Sequence, residues 1–466
     1  MTENAPGTPF GDDYPDPRDE RTRAAERAEV DKQAASLVRL RTDLGYWRER
    51  VAALQFRRAG VPDAVQIETA ADAGTLMLVA AGRIVARTRD LTDDHRRVLA
   101  EFGLPSNGHG RAAVPGIEVF TVRAGRPRTD AAGGSGTFAR VAELRMRGVP
   151  VGPDHITPLG PVMKGEGGPE PSAGGRPFPA VTYPMVGAPP RVAVIDTGIS
   201  DEERGDGYLN GLLDPGGANE DLLDVLPPPG DSFLDAGAGH GTFAAGVIAQ
   251  VAPTATLDIR RAMDTDGIGT AQQVAAQMLQ AVDAGATILN LSLGTETVDG
   301  RPPLPLLEAV ERIATDHPDV LIVCAAGNCG DDRPIWPAAF AGPGGPGPHF
   351  PNVVAVAGLD PDGNPAAWSS RGDWVTCSAV GQGVVSTYVR GAEDGDLIQD
   401  PHPDTFGRDA WATWTGTSFA APQIAGGVAR ICHNQGVTPR EALALLLKAG
   451  TPIPGWGLAV RILPGT

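Results

Sequence analysis

The sequence predicts an α/β protein built on a doubly wound, mainly parallel sheet with helices on both faces, preceded by a small α+β domain and an N-terminal amphipathic helix. Three observations carry this. Beyond about residue 190, short runs rich in Val, Ile and Leu (192–195, 288–293, 321–325, 353–357) alternate with helical patterns at 242–252, 271–284 and 304–315. Short runs rich in Val, Ile and Leu are what parallel strands covered on both faces require. Before residue 160, strand-like segments at 74–85, 117–122 and 155–159 alternate with helix-like ones at 94–102 and 137–147. Between the two regions, 161–190 contains KGEGGPEPSAGGRPFP, where repeated Gly and Pro stop both ladder and helix.

The elements then follow in chain order. Residues 1–17 are acidic and Pro-rich with little to bury, and read as a disordered tail. Over 18–60, Leu37, Leu40, Leu44, Trp47, Val51 and Leu54 recur at spacings of three and four, predicting one long amphipathic helix. Its stripe suits either a partner protein or a neighbouring domain of the same chain. A small α+β domain at 61–160, a linker at 161–190 and a catalytic-sized domain at 191–466 complete the organisation.

Composition narrows the function. A net charge of −18 over 466 residues argues against nucleic acid or an anionic membrane as partner. No apolar run approaches the ~20 residues that span a bilayer, and the first residues do not read as a secretory signal, so a cytoplasmic protein is expected. Four cysteines (Cys324, Cys329, Cys377, Cys432) form neither a disulfide framework nor a zinc spacing. Free thiols are expected, with a Cys329–Cys377 bridge left open.

Three buried strands run out into polar or Gly-containing tips: Asp196-Thr197-Gly198, Ser292-Leu293-Gly294 and Ala326-Gly327-Asn328. In an open parallel sheet such tips converge on the ligand crevice. His240, between two glycines, opens the helical stretch 242–252, and Ser418 in GTSFAAP opens another helix. Taken singly each has a plain structural role: Asp196 as a turn residue, His240 as a core histidine, Ser418 as an N-cap.

Together, Asp196, His240 and Ser418 stand in the chain order of a subtilisin-type triad. With VAVIDTG, GHGTFAAGVIAQVAP, NLSLG, AAGN and GTSFAAP, the region 191–431 resembles the subtilisin-like serine peptidases. The resemblance implies an endopeptidase acting on peptides or proteins. Ser418 would be the nucleophile, His240 the general base and Asp196 the group that orients and charges the imidazole. Asn328 and the Ser418 N–H would bind the oxyanion. It further implies that Ser292, Leu293 and Gly294, with Ala325, Ala326 and Gly327, flank the pocket for the residue before the cut. Ile335 would lie at its floor and favour an uncharged residue, while Asp331 and Asp332 would pull towards a basic one.

No cofactor or metal is required on this reading. Calcium is open at the acidic loops 202–235 and 390–409, although neither has a recognisable ligand spacing. The 61–160 domain is similar to the inhibitory prodomains that precede many such catalytic domains. Two rival readings differ in class: a catalytically silent binding module on the same fold, and a functional N-terminal region that the peptidase merely releases.

Overall fold

The structure, a computed structural model, describes residues 10 and 16–465 apart from 43, 60, 62–64, 73–74, 106–112, 123–135, 159–167, 182, 211, 213–216, 229, 344–346 and 395–402. The N-terminal stripe is helical over α1 (Glu20–Thr42) and α2 (Leu44–Arg58). Asp43, between them, lies outside the described residues, as do the side chains of Leu40, Leu44 and Trp47. The described part of the stripe is packed on the chain itself. Leu37 is fully buried against Ala366 and Trp368, while Val51 and Leu54 join a cluster with Ile67, Leu78, Ile156 and Ile268. Burying one such side chain is worth about 1.5–3 kcal/mol, which holds this described part of the stripe on the rest of the chain.

The next unit is a four-stranded antiparallel sheet of β1 (Ile67–Asp72), β2 (Thr75–Arg87), β3 (Ile117–Thr121) and β4 (Val151–His155), in which β2 pairs with all three others. Helices α3 (Asp93–Glu101) and α4 (Thr137–Met146) cover one face through Leu99, Val141 and Leu144. The other face contributes Val85 and Ile117 to the core around α6 (Ala271–Asp283) and α7 (Leu304–Asp316). There Arg87 Nε donates to Glu308 at 2.9 Å and Arg83 pairs with the buried Asp154 at 3.1 Å. In the predicted linker, β5 (Glu170–Pro171) forms a short strand.

The main sheet contains β6 (Arg191–Asp196), β7 (Thr256–Arg261), β8 (Ile288–Leu291), β9 (Leu321–Ala325), β10 (Val353–Leu359) and β11 (Cys377–Val380). Beyond β11 lie the ribbon of β12 (Val384–Thr387) with β15 (Trp411–Trp414), the small pair β13 (Gly391–Ala392) and β14 (Thr405–Phe406), and finally β16 (Thr451–Ile453) and β17 (Gly457–Ala459). The spatial order is β16-β17-β11-β10-β9-β8-β6-β7, parallel except for the β16–β17 pair. Two buried helices, α5 (His240–Val251) and α8 (Thr417–Gln435), share one face with α9 (Pro439–Leu447), while α6 and α7 cover the other.

All four cysteines are free thiols, so the Cys329–Cys377 bridge is not formed. Cys377 lies in the sheet core, where burial pushes its thiol up to about 12. No described helix is long and apolar enough to cross a membrane.

Candidate active site

The chain leaves β6 towards β7 on one side and later returns to β8 on the other. This switch point opens a crevice at the carboxyl ends of the strands, and Asp196, the last residue of β6, stands there fully buried. Its Oδ1 accepts from the Thr197 N–H and faces His240 Nδ1, both at 2.8 Å, while Oδ2 has no hydrogen-bond partner. A carboxylate on Nδ1 favours the tautomer with its proton there, leaving Nε2 as the acceptor.

His240 is the first residue of α5, and the glycines around it are required by geometry. Gly239 has φ +77°, a left-handed conformation, and a Cβ on Gly241 would collide with the carbonyl oxygen of Gly198. Only the absence of a side chain lets the β6 tip and the α5 start approach so closely. Trp414 stands edge-on to the imidazole at 5.3 Å and Phe419 lies tilted at 5.2 Å, which fixes the ring plane.

Ser418, in the first turn of α8, shares one small recess with His240 and Asn328, together with Ala236, Trp414, Thr415, Gly416 and Phe419. His240, Asn328 and Ser418 are 3, 4 and 4 % exposed. The Ser418 hydroxyl donates to the Ser292 carbonyl at 3.1 Å, and among the described residues no hydrogen bond joins it to His240. In return the Ser292 hydroxyl donates to the Ser418 carbonyl at 2.7 Å, and Asn290 Nδ2 donates to the Ser292 hydroxyl at 3.0 Å. Asn328 Oδ1 accepts from the Thr417 N–H at 3.0 Å and the Thr417 hydroxyl at 2.9 Å. Because an amide N–H can only donate, these bonds fix the carboxamide orientation and leave Nδ2 as the free donor.

The subtilase family model matches residues 187–454, more than half of the chain. The protein belongs to the subtilase family. It is a serine-type endopeptidase with a subtilisin-like α/β fold, acting on peptide or protein substrates. Thermitase of Thermoactinomyces vulgaris is 29% identical over 281 residues, covering 58% of this chain and 84% of that protein. Subtilisin BL of Lederbergia lenta is 30% identical over 256 residues, covering 53% and 77%. Among solved structures, a lanthipeptide protease aligns at a TM-score of 0.45 and 21% identity over 59% of this chain and 86% of that one.

The flanking tips are both present in this subtilase. Ser292 is bound as described, Leu293 is buried in the core beside α6 and α7, and the Gly294 N–H donates to the Pro158 carbonyl at 3.3 Å. Ala325 and Ala326 are buried, and the Gly327 N–H donates to the Thr417 hydroxyl at 3.0 Å. Ile335 does not floor an open pocket; it fills the space between Gly294 and Gly327. Asp331 is held by Arg333 at 2.8 Å, whereas Asp332 is exposed.

Sequence reasoning missed Asp221, which reads as one more acid in a solvated loop. It is buried: Oδ2 accepts from the Gly239 N–H and from the Thr197 hydroxyl, each at 2.9 Å. The Thr197 hydroxyl in turn accepts from the Gly241 N–H at 3.1 Å. Burial pushes the Asp221 carboxyl up to about 6, against these hydrogen bonds. Asp235 takes Arg57 and Thr265 instead of lying open to calcium, and among the described residues no group of three or more His, Cys, Asp or Glu is arranged to hold a metal ion.

Proposed function

We propose that this subtilase cleaves peptide bonds through Asp196, His240 and Ser418 and is restrained by its own N-terminal region. The observation that carries the reading is the single recess shared by the His240 imidazole, the Ser418 hydroxyl and the Asn328 amide, with Asp196 behind the ring. A turn about the Ser418 side chain moves its hydroxyl from the Ser292 carbonyl towards Nε2, which takes the proton as Oγ attacks. Asn328 Nδ2 and the Ser418 N–H receive the charge that develops on the carbonyl oxygen. The imidazolium, steadied by Asp196, then returns its proton to the leaving amine, and water repeats the sequence on the acyl-enzyme. The vacated Ser292 carbonyl and the Gly294 N–H are main-chain groups for a substrate strand.

The same edge is already paired with the chain's own residues 156–158. Ile156 bridges Thr270, the Thr157 N–H donates to the Gly269 carbonyl at 2.8 Å, and Pro158 takes the Gly294 N–H. A substrate must displace this segment. A partner protein that captured the N-terminal helices would compete with the contacts that hold them down, and would thereby activate the enzyme.

Labelling of the full chain by a fluorophosphonate probe tests the reading. We expect labelling in the wild type and none in Ser418→Ala. Thr157→Pro, which removes the N–H donated to Gly269, should raise peptide turnover several-fold or more. Equal labelling with and without Ser418 would overturn the assignment, and unchanged turnover in Thr157→Pro would overturn the restraint. Asn328→Ala removes one oxyanion donor and is expected to lower kcat by about 10²- to 10³-fold with a much smaller change in KM, because that bond forms in the transition state. Steady-state kinetics in the Thr157→Pro background would show it.

A further inference from the structure

The recess around Ser418 also dictates where the side chain of the residue before the cut must go. For Ser418 Oγ to reach the carbonyl carbon while the oxygen meets Asn328 Nδ2, that residue has to sit between Ser292, beyond β8, and Asn328, beyond β9. These strands are neighbours, with Leu291 opposite Cys324, and the chain diverges past their ends. A side chain directed into the protein from this position enters the gap between the two tips.

That gap is filled. A Cβ on Gly294 would lie under 3 Å from Ile335 Cγ2, and one on Gly327 would lie 2.8 Å from Ile335 Cγ1, so one side chain spans from tip to tip. Ile335 is 4 % exposed and cannot swing aside cheaply. The next residue, Trp336, exchanges two main-chain hydrogen bonds with Thr295, each 2.9 Å, and its fully buried ring packs on Phe340 at 4.6 Å. Two of the acids nearby are engaged, Arg333 pairing with Asp331 at 2.8 Å and approaching Glu296 at 3.5 Å.

We propose that Ile335 closes this slot and makes the enzyme specific for Gly or Ala immediately before the cleaved bond. The proposal rests on the assignment of Ser418 and Asn328 above. A methyl group fits beside Ile335, whereas Leu, Phe or Arg would have to displace a pinned, close-packed side chain. Discrimination by a misfit of a single methylene is already ~10- to 200-fold, and these side chains exceed that.

The test is a panel of fluorogenic peptides differing only in that residue (Gly, Ala, Leu, Phe, Arg), assayed with the full chain and with Ile335→Gly and Ile335→Ala, all in the Thr157→Pro background. Fluorophosphonate labelling run in parallel reports on the nucleophile. We expect kcat/KM for Ala to exceed that for Phe by at least ~100-fold, and the Phe-to-Ala ratio to rise tenfold or more in the Ile335 variants. The milder Ile335→Ala keeps the comparison available if the Gly variant does not fold. A preference for Leu, Phe or Arg in the parent, or a ratio unmoved by both substitutions while Ser418 still labels, would overturn the closed slot. Loss of Ser418-dependent labelling in the parent would instead overturn the underlying assignment, and the proposal with it.

Discussion

Ser418→Ala is expected to lower kcat by about 10⁶-fold, the scale of loss when the nucleophile of a triad acting as a unit is removed. The methyl group fits where the hydroxyl stood, so the fold should survive: among the described residues Ser418 makes one side-chain hydrogen bond, to the Ser292 carbonyl, and α8 is held by packing along nearly its whole length. Asp196→Asn is expected to cost about 10⁴-fold. It preserves bulk but removes the buried negative charge 2.8 Å from the imidazole, so the imidazolium formed during attack is left without its counter-charge. Because the two residues serve one proton transfer, the double variant should be no slower than Ser418→Ala alone. Single-turnover assays in the Thr157→Pro background separate these outcomes. A Ser418→Ala enzyme within tenfold of its parent, or losses that multiply in the double variant, would refute the shared mechanism.

Arg58→Ala is expected to release the N-terminal restraint. Arg57 and Arg58, at the end of α2, enter an acidic loop of the catalytic domain, Arg57 pairing with Asp235 and Asp266, Arg58 with Asp264 and Asp266. Both arginines and Asp266 are nearly inaccessible to water. Burial pushes the Asp266 carboxyl up to about 7 against the pull of Arg57, with Asp235 and Asp264 adding to the rise. Removing Arg58 leaves Asp266 buried with Arg57 as its remaining partner at 3.3 Å, while Asp264 keeps access to water, so the cost falls below the about 3–5 kcal/mol of breaking an isolated buried pair. The loop bearing Asp264 and Asp266 continues into Ile268, which meets Val51, Leu54 and Ile156 in one apolar cluster, and Gly269, whose carbonyl accepts the Thr157 N–H. Loosening α2 therefore loosens the segment on the substrate edge. The released fraction should rise by about 10- to 10²-fold, until release is no longer limiting. Arg58→Lys, which keeps the charge but not the forked geometry, should fall between. Peptide turnover together with hydrogen exchange over α2 would show both effects, and the idea fails if neither changes in Arg58→Ala.

Much of the catalytic half was legible before any coordinates. The runs that became β6, β8, β9 and β10 are short and rich in Val, Ile and Leu, and α5 and α8 begin at Gly-flanked motifs, so their type and order follow from local pattern. Asp196, His240, Asn328 and Ser418 lie at strand tips and helix starts, where polar groups face a crevice, but it was the resemblance of their motifs to the subtilisin-like peptidases that singled them out. Asp221 did not stand out, since an acid in a long Pro- and Gly-rich loop carries no sign of being buried behind Thr197 and Gly239.

The stripe on α1 and α2 was visible as a stripe, yet periodicity says only that a face is apolar, not what covers it. Likewise Ile335 and Asp331 were recognisable as neighbours of the cleft, but not that one fills the slot and the other is spent on Arg333. What the sequence determined by itself was whatever depends on residues a few positions apart: strand and helix patterns, the switch of composition near 190, and motifs with their own local geometry. The tertiary structure alone decided which distant partners meet, Thr157 with Gly269 and Arg58 with Asp264 among them. Such pairs form only when the topology brings separate segments together, and whether a charge is neutralised or a cavity filled depends on the side chain that arrives from elsewhere in the chain.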